Sequence, residues 1–155
     1  QHNQTTLNQL LDCIGQDQRD TVINDVCNSI AQNPQFSHQD AAFLSAVDCF
    51  DELEAYLLQR SEQLNGNLYT QLLPLAEALE KRGKFLVSCL IYRALVDSIL
   101  ARALSKYYHH GVKYLKKLDQ LALSVTDWQT WQTHEMYLAT LQELHKRKSA
   151  FWSKY

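Results

Sequence analysis

The sequence predicts an all-α protein, an antiparallel helical-repeat solenoid of seven or eight helices, on three observations. Apolar side chains recur at three- and four-residue intervals along nearly the whole chain, which is the period of a buried helix face. Only four Gly and two Pro interrupt 155 residues, too few and too scattered for the close punctuation of a many-stranded β protein. A hydrophobic content of 46% suffices for a continuous core in one domain of ordinary size.

The first helix is expected over residues 5–14, where Leu7, Leu10, Leu11 and Ile14 share a face and Gly15 suits the C-terminal cap. A second runs over residues 17–32 with Val22, Ile23, Val26, Cys27 and Ile30 inward. Asn33-Pro34 stops it, because the proline ring disfavours helical geometry in the residue before it. Ser37 is a good N-cap for a third helix, with Asp40 at its positive end and Ala42, Phe43, Ala46 and Val47 on its face. From Phe50 the positions Phe50, Leu53, Tyr56, Leu57 and Leu64 continue the period behind an acidic first turn of Asp51, Glu52 and Glu54.

Asn65-Gly66-Asn67 is the clearest turn in the chain. Two strongly periodic segments follow, over residues 68–82 and 85–104, hinged at Gly83. Pro74 requires the first to start close to it or to bend there. The second is apolar on nearly all sides, so neighbours must wrap it; its Arg93 and Asp97, four residues apart, are placed to pair. A further helix is expected over residues 106–124. The last begins near Thr126, whose spacing to Gln129 fits a capping box, and carries Tyr137, Leu138, Leu141, Leu144, Phe151 and Trp152 inward.

Residues 69–102 resemble one tetratricopeptide-type unit, a pair of antiparallel helices. Leu72, Leu75, Ala76 and Leu79 mark the first helix, Gly83 and Phe85 the turn, and Ser88, Tyr92 and Leu95 the second. Ala76 and Ser88 are small where two helices approach closely. Leu72 stands where that pattern usually has an aromatic residue and Leu95 where it has a small one. One unit cannot bury its own face, so stacked neighbours are required.

A second resemblance covers residues 64–152. The runs Leu64-Asn65-Gly66-Asn67-Leu68-Tyr69, Leu73-Pro74-Leu75-Ala76, Tyr92-Arg93-Ala94-Leu95, Tyr108-His109-His110-Gly111-Val112-Lys113-Tyr114-Leu115 and His145-Lys146-Arg147-Lys148-Ser149-Ala150-Phe151-Trp152 are similar to the C-terminal region of an uncharacterised bacterial family of helical proteins. Some members of that family occur alongside SWIM-type zinc fingers. This chain departs from those members in having no Cys/His cluster with ligand spacing.

The formal net charge of −2 conceals a division: residues 1–78 hold 11 acids and 2 bases, whereas residues 79–155 hold 6 acids and 13 bases. Opposite halves can attract one another within the fold or between chains, or the basic half can meet an anionic partner. The chain is accordingly read as one helical domain over residues 1–155, with acidic helices over 1–63 and a basic tetratricopeptide-like portion over 64–155. It is expected to belong to a longer protein, since it begins at Gln1 and its single Met is the internal Met136.

Cys13, Cys27, Cys49 and Cys89 form no C-x-x-C pair and sit among apolar neighbours, as buried thiols of a reducing, cytoplasmic compartment do. No secretory leader and no membrane span is recognisable. Lys106, His110, Lys113 and Lys117 step by four, three and four residues and so share a helix face. With His145, Arg147 and Lys148 they are the candidate contacts for an anion or a partner, and Tyr107, Tyr108 and Trp152 offer stacking surfaces. The structural alternative makes the lysines a solvated face, sets His145, Arg147 and Lys148 against the negative end of a helix dipole, and makes Phe151 and Trp152 closing residues of the core.

Adjacent His109 and His110 diverge on a helix, and His134 and His145 lack a third ligand, so no metal site is expected. Neither a nucleotide loop nor a catalytic motif is present, and no cofactor or catalytic residue is assigned. The function expected is a protein-interaction or scaffolding module binding a peptide or another domain. Nucleic-acid contact through the basic half is the alternative, and self-association through the charge division is open.

Overall fold

The computed structural model describes residues 16–155, and among them every regular element is helical: eight α-helices, two 3-10 turns and no strand. The helix expected over residues 5–14, Gly15 and Cys13 lie outside the described residues. The described residues divide into two compact units, one ending at residue 64 and the other spanning residues 65–155.

The first unit holds α1 (Gln16–Gln32), α2 (His38–Ala46), α3 (Phe50–Gln59) and a 3-10 turn, Ser61–Gln63. Helix α1 ends at Asn33-Pro34 as the ring of Pro34 dictates, and Cys27 and Ile30 are its buried residues. Ser37 caps α2, its hydroxyl accepting the Asp40 amide at 3.3 Å. The buried face of α2 is Asp40, Ala41, Phe43 and Leu44, not the expected Ala42, Phe43, Ala46 and Val47; Ala42 and Ala46 are exposed. Phe43 and Leu44 bury more apolar area than a pair of alanines, so they decide which way a helix of nine residues turns.

Helix α3 packs on α1 and α2 through Phe50, Leu53, Tyr56 and Leu57. Where it ends, Arg60 turns back, only 4% exposed. Its Nε donates to the Asn33 carbonyl at 3.1 Å, Nη1 to Tyr56 at 3.0 Å and Nη2 to Ala31 at 3.1 Å. The guanidinium thereby satisfies carbonyls left open at the end of α1, which a helix cannot satisfy internally. The Tyr56 hydroxyl completes this corner by accepting from the Ser37 amide at 2.7 Å.

The second unit holds α4 (Tyr69–Lys81), α5 (Phe85–Ala101), a 3-10 turn (Ser105–Tyr107), α6 (Tyr108–Ala122), α7 (His134–Leu144) and α8 (Ser149–Trp152). Helix α4 starts five residues ahead of Pro74, so the proline lies inside it, on the exposed side. There the ring faces solvent and the missing amide leaves only the Thr70 carbonyl without its helical partner. Gly83, at φ 75°, ends the helix in the left-handed conformation that closes a Lys84 amide to Leu79 carbonyl bond of 2.9 Å.

The chain then returns antiparallel: Ser88 Oγ donates to the Ala76 carbonyl at 2.9 Å, and farther along Ser98 and Arg102 reach Asn67. Leu72, Leu75, Ala76, Leu79, Ser88, Tyr92 and Leu95, the helix positions of the repeat-like pattern, are buried, whereas its turn positions are not: Gly83 is exposed and Phe85 only partly buried. Helix α6 returns along the other side of α5, with Tyr92 and Tyr114 ring centroids 6.0 Å apart and Ile99 beside Gly111. Phe151 of α8 is fully buried edge-on against Tyr108.

Residues 123–133 are not helical, contrary to the start expected at Thr126. Gln129 sits at φ 52° with its amide bonded to Asp127 Oδ1 at 2.9 Å, a turn no helix accommodates. The cap is Thr133, whose hydroxyl accepts the Met136 amide. Arg93 does not meet Asp97. Its guanidinium, 7% exposed, lies between the rings of Trp128 and Tyr137, at 4.6 and 4.5 Å from their centroids. Asp97 instead accepts the Tyr137 hydroxyl at 2.7 Å. Loss of water raises the Asp97 carboxyl, while that bond and Arg93 draw it back. No described helix is long and apolar enough to cross a membrane.

Candidate functional site

Because α5 is flanked by α4 on one side and α6 on the other, the outer edges of α4 and α6 leave a groove of about 770 Å³ with the Tyr92 ring in its floor. Tyr69, Leu73 and Glu77 project from α4 at four-residue steps, and His110, Lys113 and Lys117 from α6 at three and four. Each triplet is one helix stripe, so the same periodicity that buries one face of α4 and α6 aligns the groove's walls.

At one end the groove runs into a smaller pocket of about 210 Å³ that shares Tyr69, His110 and Tyr114. Leu95, Ile99 and Leu104 give it an apolar floor, and Arg102 and Tyr107 stand at its rim. Its wall depends on the Asn65-Gly66-Asn67 turn. The Asn67 side-chain oxygen accepts from Ser98 Oγ and Arg102 Nη1, and Gly66 sits where an added Cβ would come 2.0 Å from the Ala94 carbonyl oxygen.

Of the residues singled out in the sequence, His110, Lys113 and Lys117 line this groove. Lys117 is tied to Glu80 of α4 at 2.9 Å, a bridge across the groove's far end. Lys113 and Lys116 are exposed and have no carboxylate at ion-pair distance among the described residues. Lys106 belongs to the 3-10 turn ahead of α6, and its ammonium lies 5.1 Å from the Tyr107 ring centroid. His110 stacks on Tyr114 with ring planes 22° apart, and His109 is 4.0 Å from it. Burial, then His109 and Lys113, lower the His110 imidazole, which favours its neutral form.

His145, Arg147 and Lys148 do not line the groove; they form the corner between α7 and α8. Lys148 Nζ lies 3.0 Å from His145 Nδ1, and the Trp152 indole donates to the His145 carbonyl at 2.9 Å. Burial, then Lys148, lowers His145. Arg147 is exposed. Trp152 therefore closes the open end of α7, and the basic run surrounds that closure.

Sequence reasoning missed Tyr69, Arg102 and Lys116. Tyr69, Leu73 and Glu77 were readable as a four-residue stripe, but Leu73 and Tyr69 were indistinguishable from core until α4 was placed. Arg102 and Asn67 are 35 residues apart and no local pattern joins them.

Among the described residues no three His, Cys, Asp or Glu side chains gather as a metal site. The nearest polar constellation is Asp119, whose two carboxylate oxygens meet His134 Nε2 and the Tyr155 hydroxyl, each at 2.5 Å; it joins α6 to the start of α7 and to the C-terminus. No curated protein and no solved structure matches the chain. A family model matches residues 17–154, and the chain therefore belongs to the family of unknown function DUF6880.

Proposed function

We propose that the second unit is a protein-interaction module, a scaffolding element of the cytosol, that takes an extended acidic peptide segment into the groove between α4 and α6. The observation that carries this reading is the lining: exposed Lys113 and Lys116 above a row of Tyr69, Tyr92, Tyr114 and Leu73. Cations at the rim attract carboxylates, and aromatic faces take up the alternate, apolar side chains of an extended strand.

Tetratricopeptide-like pairing supports it. If α4 with α5 and α6 with α7 are successive pairs, α4 and α6 are the alternate helices whose outer faces line the concave surface of such arrays, where peptides bind. Free thiols at Cys27, Cys49 and Cys89 suit a reducing compartment.

A peptide fits better than a nucleic acid. Glu77 stands in the groove wall and Lys117 is already held by Glu80, so few cations are left for a continuous phosphate backbone, and the 145–148 cluster lies at another corner. The test is fluorescence anisotropy with a fluorescein-labelled peptide of alternating Glu and Leu, its Lys/Leu counterpart, and single-stranded DNA. Saturable binding of the Glu/Leu peptide alone, weakened about tenfold by Lys113→Glu with Lys116→Glu, is expected. Tighter binding of DNA than of the Glu/Leu peptide, with a steep salt slope, would assign the groove to nucleic acid instead.

A further inference from the structure

In the first unit two thiols face one another. Cys27 projects from the last third of α1, and Cys49 precedes α3 at a cap position where its side chain makes no capping hydrogen bond. Their sulfurs are 3.7 Å apart, in van der Waals contact, with Cys49 Sγ also directed at the Val47 carbonyl at 3.8 Å. Both cysteines are free. A disulfide needs the sulfurs to close to about 2.05 Å, a movement that rotation about the two Cα–Cβ bonds distributes over two side chains. Cys49 is only partly buried, so its thiol can reach a soluble disulfide oxidant, whereas Cys27 is buried behind it.

We infer that Cys27 and Cys49 are a reversible oxidation site, converted to an intramolecular disulfide by a small-molecule disulfide such as oxidised glutathione. The Cys49 thiolate attacks one sulfur of glutathione disulfide and expels one glutathione thiolate. Cys27, as thiolate, then attacks the Cys49 sulfur of the mixed disulfide and expels the second. Two protein thiols are oxidised, two glutathione thiols are formed, and the two protons lost from the cysteines end on them.

The bond would tie α1 to the start of α3 and enclose the whole of α2. Closing that loop restricts the unfolded chain, so oxidation raises the melting temperature. The site is a slow, stoichiometric one and not an oxidoreductase pair. Burial pushes the Cys27 thiol up to about 12 and raises Cys49 as well, Glu52 adding to both, whereas exchange catalysts keep a thiol near ambient pH.

The experiment treats the full chain with oxidised glutathione across a pH series, alkylates the remaining thiols, and maps the links by peptide mass spectrometry. Expected are the loss of two hydrogens, a Cys27–Cys49 peptide pair, and a rate rising about tenfold per pH unit. The melting temperature should rise by roughly 10 °C and return on adding dithiothreitol. Cys27→Ser should leave Cys49 trapped as the mixed disulfide with glutathione, and circular dichroism of that variant verifies that it is folded. Links through Cys13 or Cys89 in place of the pair, or only stable mixed disulfides in the wild type, would overturn the inference.

Discussion

Gly66→Ala is the sharpest structural perturbation the second unit offers. The new Cβ would lie 2.0 Å from the Ala94 carbonyl oxygen, 2.7 Å from Ser98 Cβ and 2.8 Å from the Ala94 carbonyl carbon. All three belong to the middle of α5, wedged between α4 and α6, so the turn must retreat by 1.0 Å or more to reach even the 3.0 Å limit of real contacts. Overpacking of this kind costs about 1–3 kcal/mol. The retreat also pulls Asn67 from Ser98 and Arg102, one bond charge-assisted, at about 1–2 kcal/mol. Alanine restricts the unfolded chain and returns roughly 0.5–1 kcal/mol. The net loss is about 3 kcal/mol.

The assay is urea unfolding followed by far-UV circular dichroism, with Gly83→Ala as the comparison. Nothing lies within 4 Å of a Cβ at Gly83, and only its φ of 75° opposes the change, so that variant should lose about 1 kcal/mol. Gly66→Ala within about 0.5 kcal/mol of wild type, or milder than Gly83→Ala, would refute the claimed packing of the turn on α5.

Arg60→Leu should destabilise the first unit by about 2–4 kcal/mol in the same assay, because carbonyls of Ala31, Asn33 and Tyr56 lose their donor. Arg93→Met, by contrast, should change stability by no more than about 1 kcal/mol, since Nε and Nη2 are buried without partners and a thioether fills the space between Trp128 and Tyr137. Burial depresses His38, whose Nδ1 has no hydrogen-bond partner. The unfolded chain then binds the proton more readily, so stability is full above the ordinary value of 6.5 and falls as pH drops through and below it. His38→Gln should flatten that part of a urea-midpoint against pH profile.

The helical class and most boundaries were legible because they rest on local signals: the cap at Ser37, the stop at Asn33-Pro34 and the reversal at Gly83 each act within a few residues. Readings that depend on tertiary partners were not. Arg93 and Asp97 have ideal spacing to pair, yet Trp128 and Tyr137 outcompete Asp97 for the guanidinium from 35 and 44 residues away. Thr126 and Gln129 match a capping box, but the loop is held by Trp128 stacking on Arg93 and by the Asp127 turn. No local pattern singles out Arg60; its role depends on carbonyls 27 and 29 residues earlier.

For the candidate site, the helical step correctly aligned His110, Lys113 and Lys117, while Lys106 fell into the preceding 3-10 turn. The basic run at residues 145–148 is the more conspicuous motif in the sequence, and the fold gives it a corner in which Trp152 closes α7. The opposing wall, Tyr69 and Leu73, emerges only when α4 is placed beside α6.

The most direct test of the peptide-groove account is the map of amide chemical-shift changes in the ¹H–¹⁵N spectrum as the Glu/Leu peptide is added to the full chain. The account predicts that the largest shifts fall at Tyr69, Leu73, Tyr92, His110, Lys113 and Tyr114, and that they are lost in Lys113→Glu with Lys116→Glu. Shifts centred on residues 145–148, or confined to residues 16–64, would contradict it.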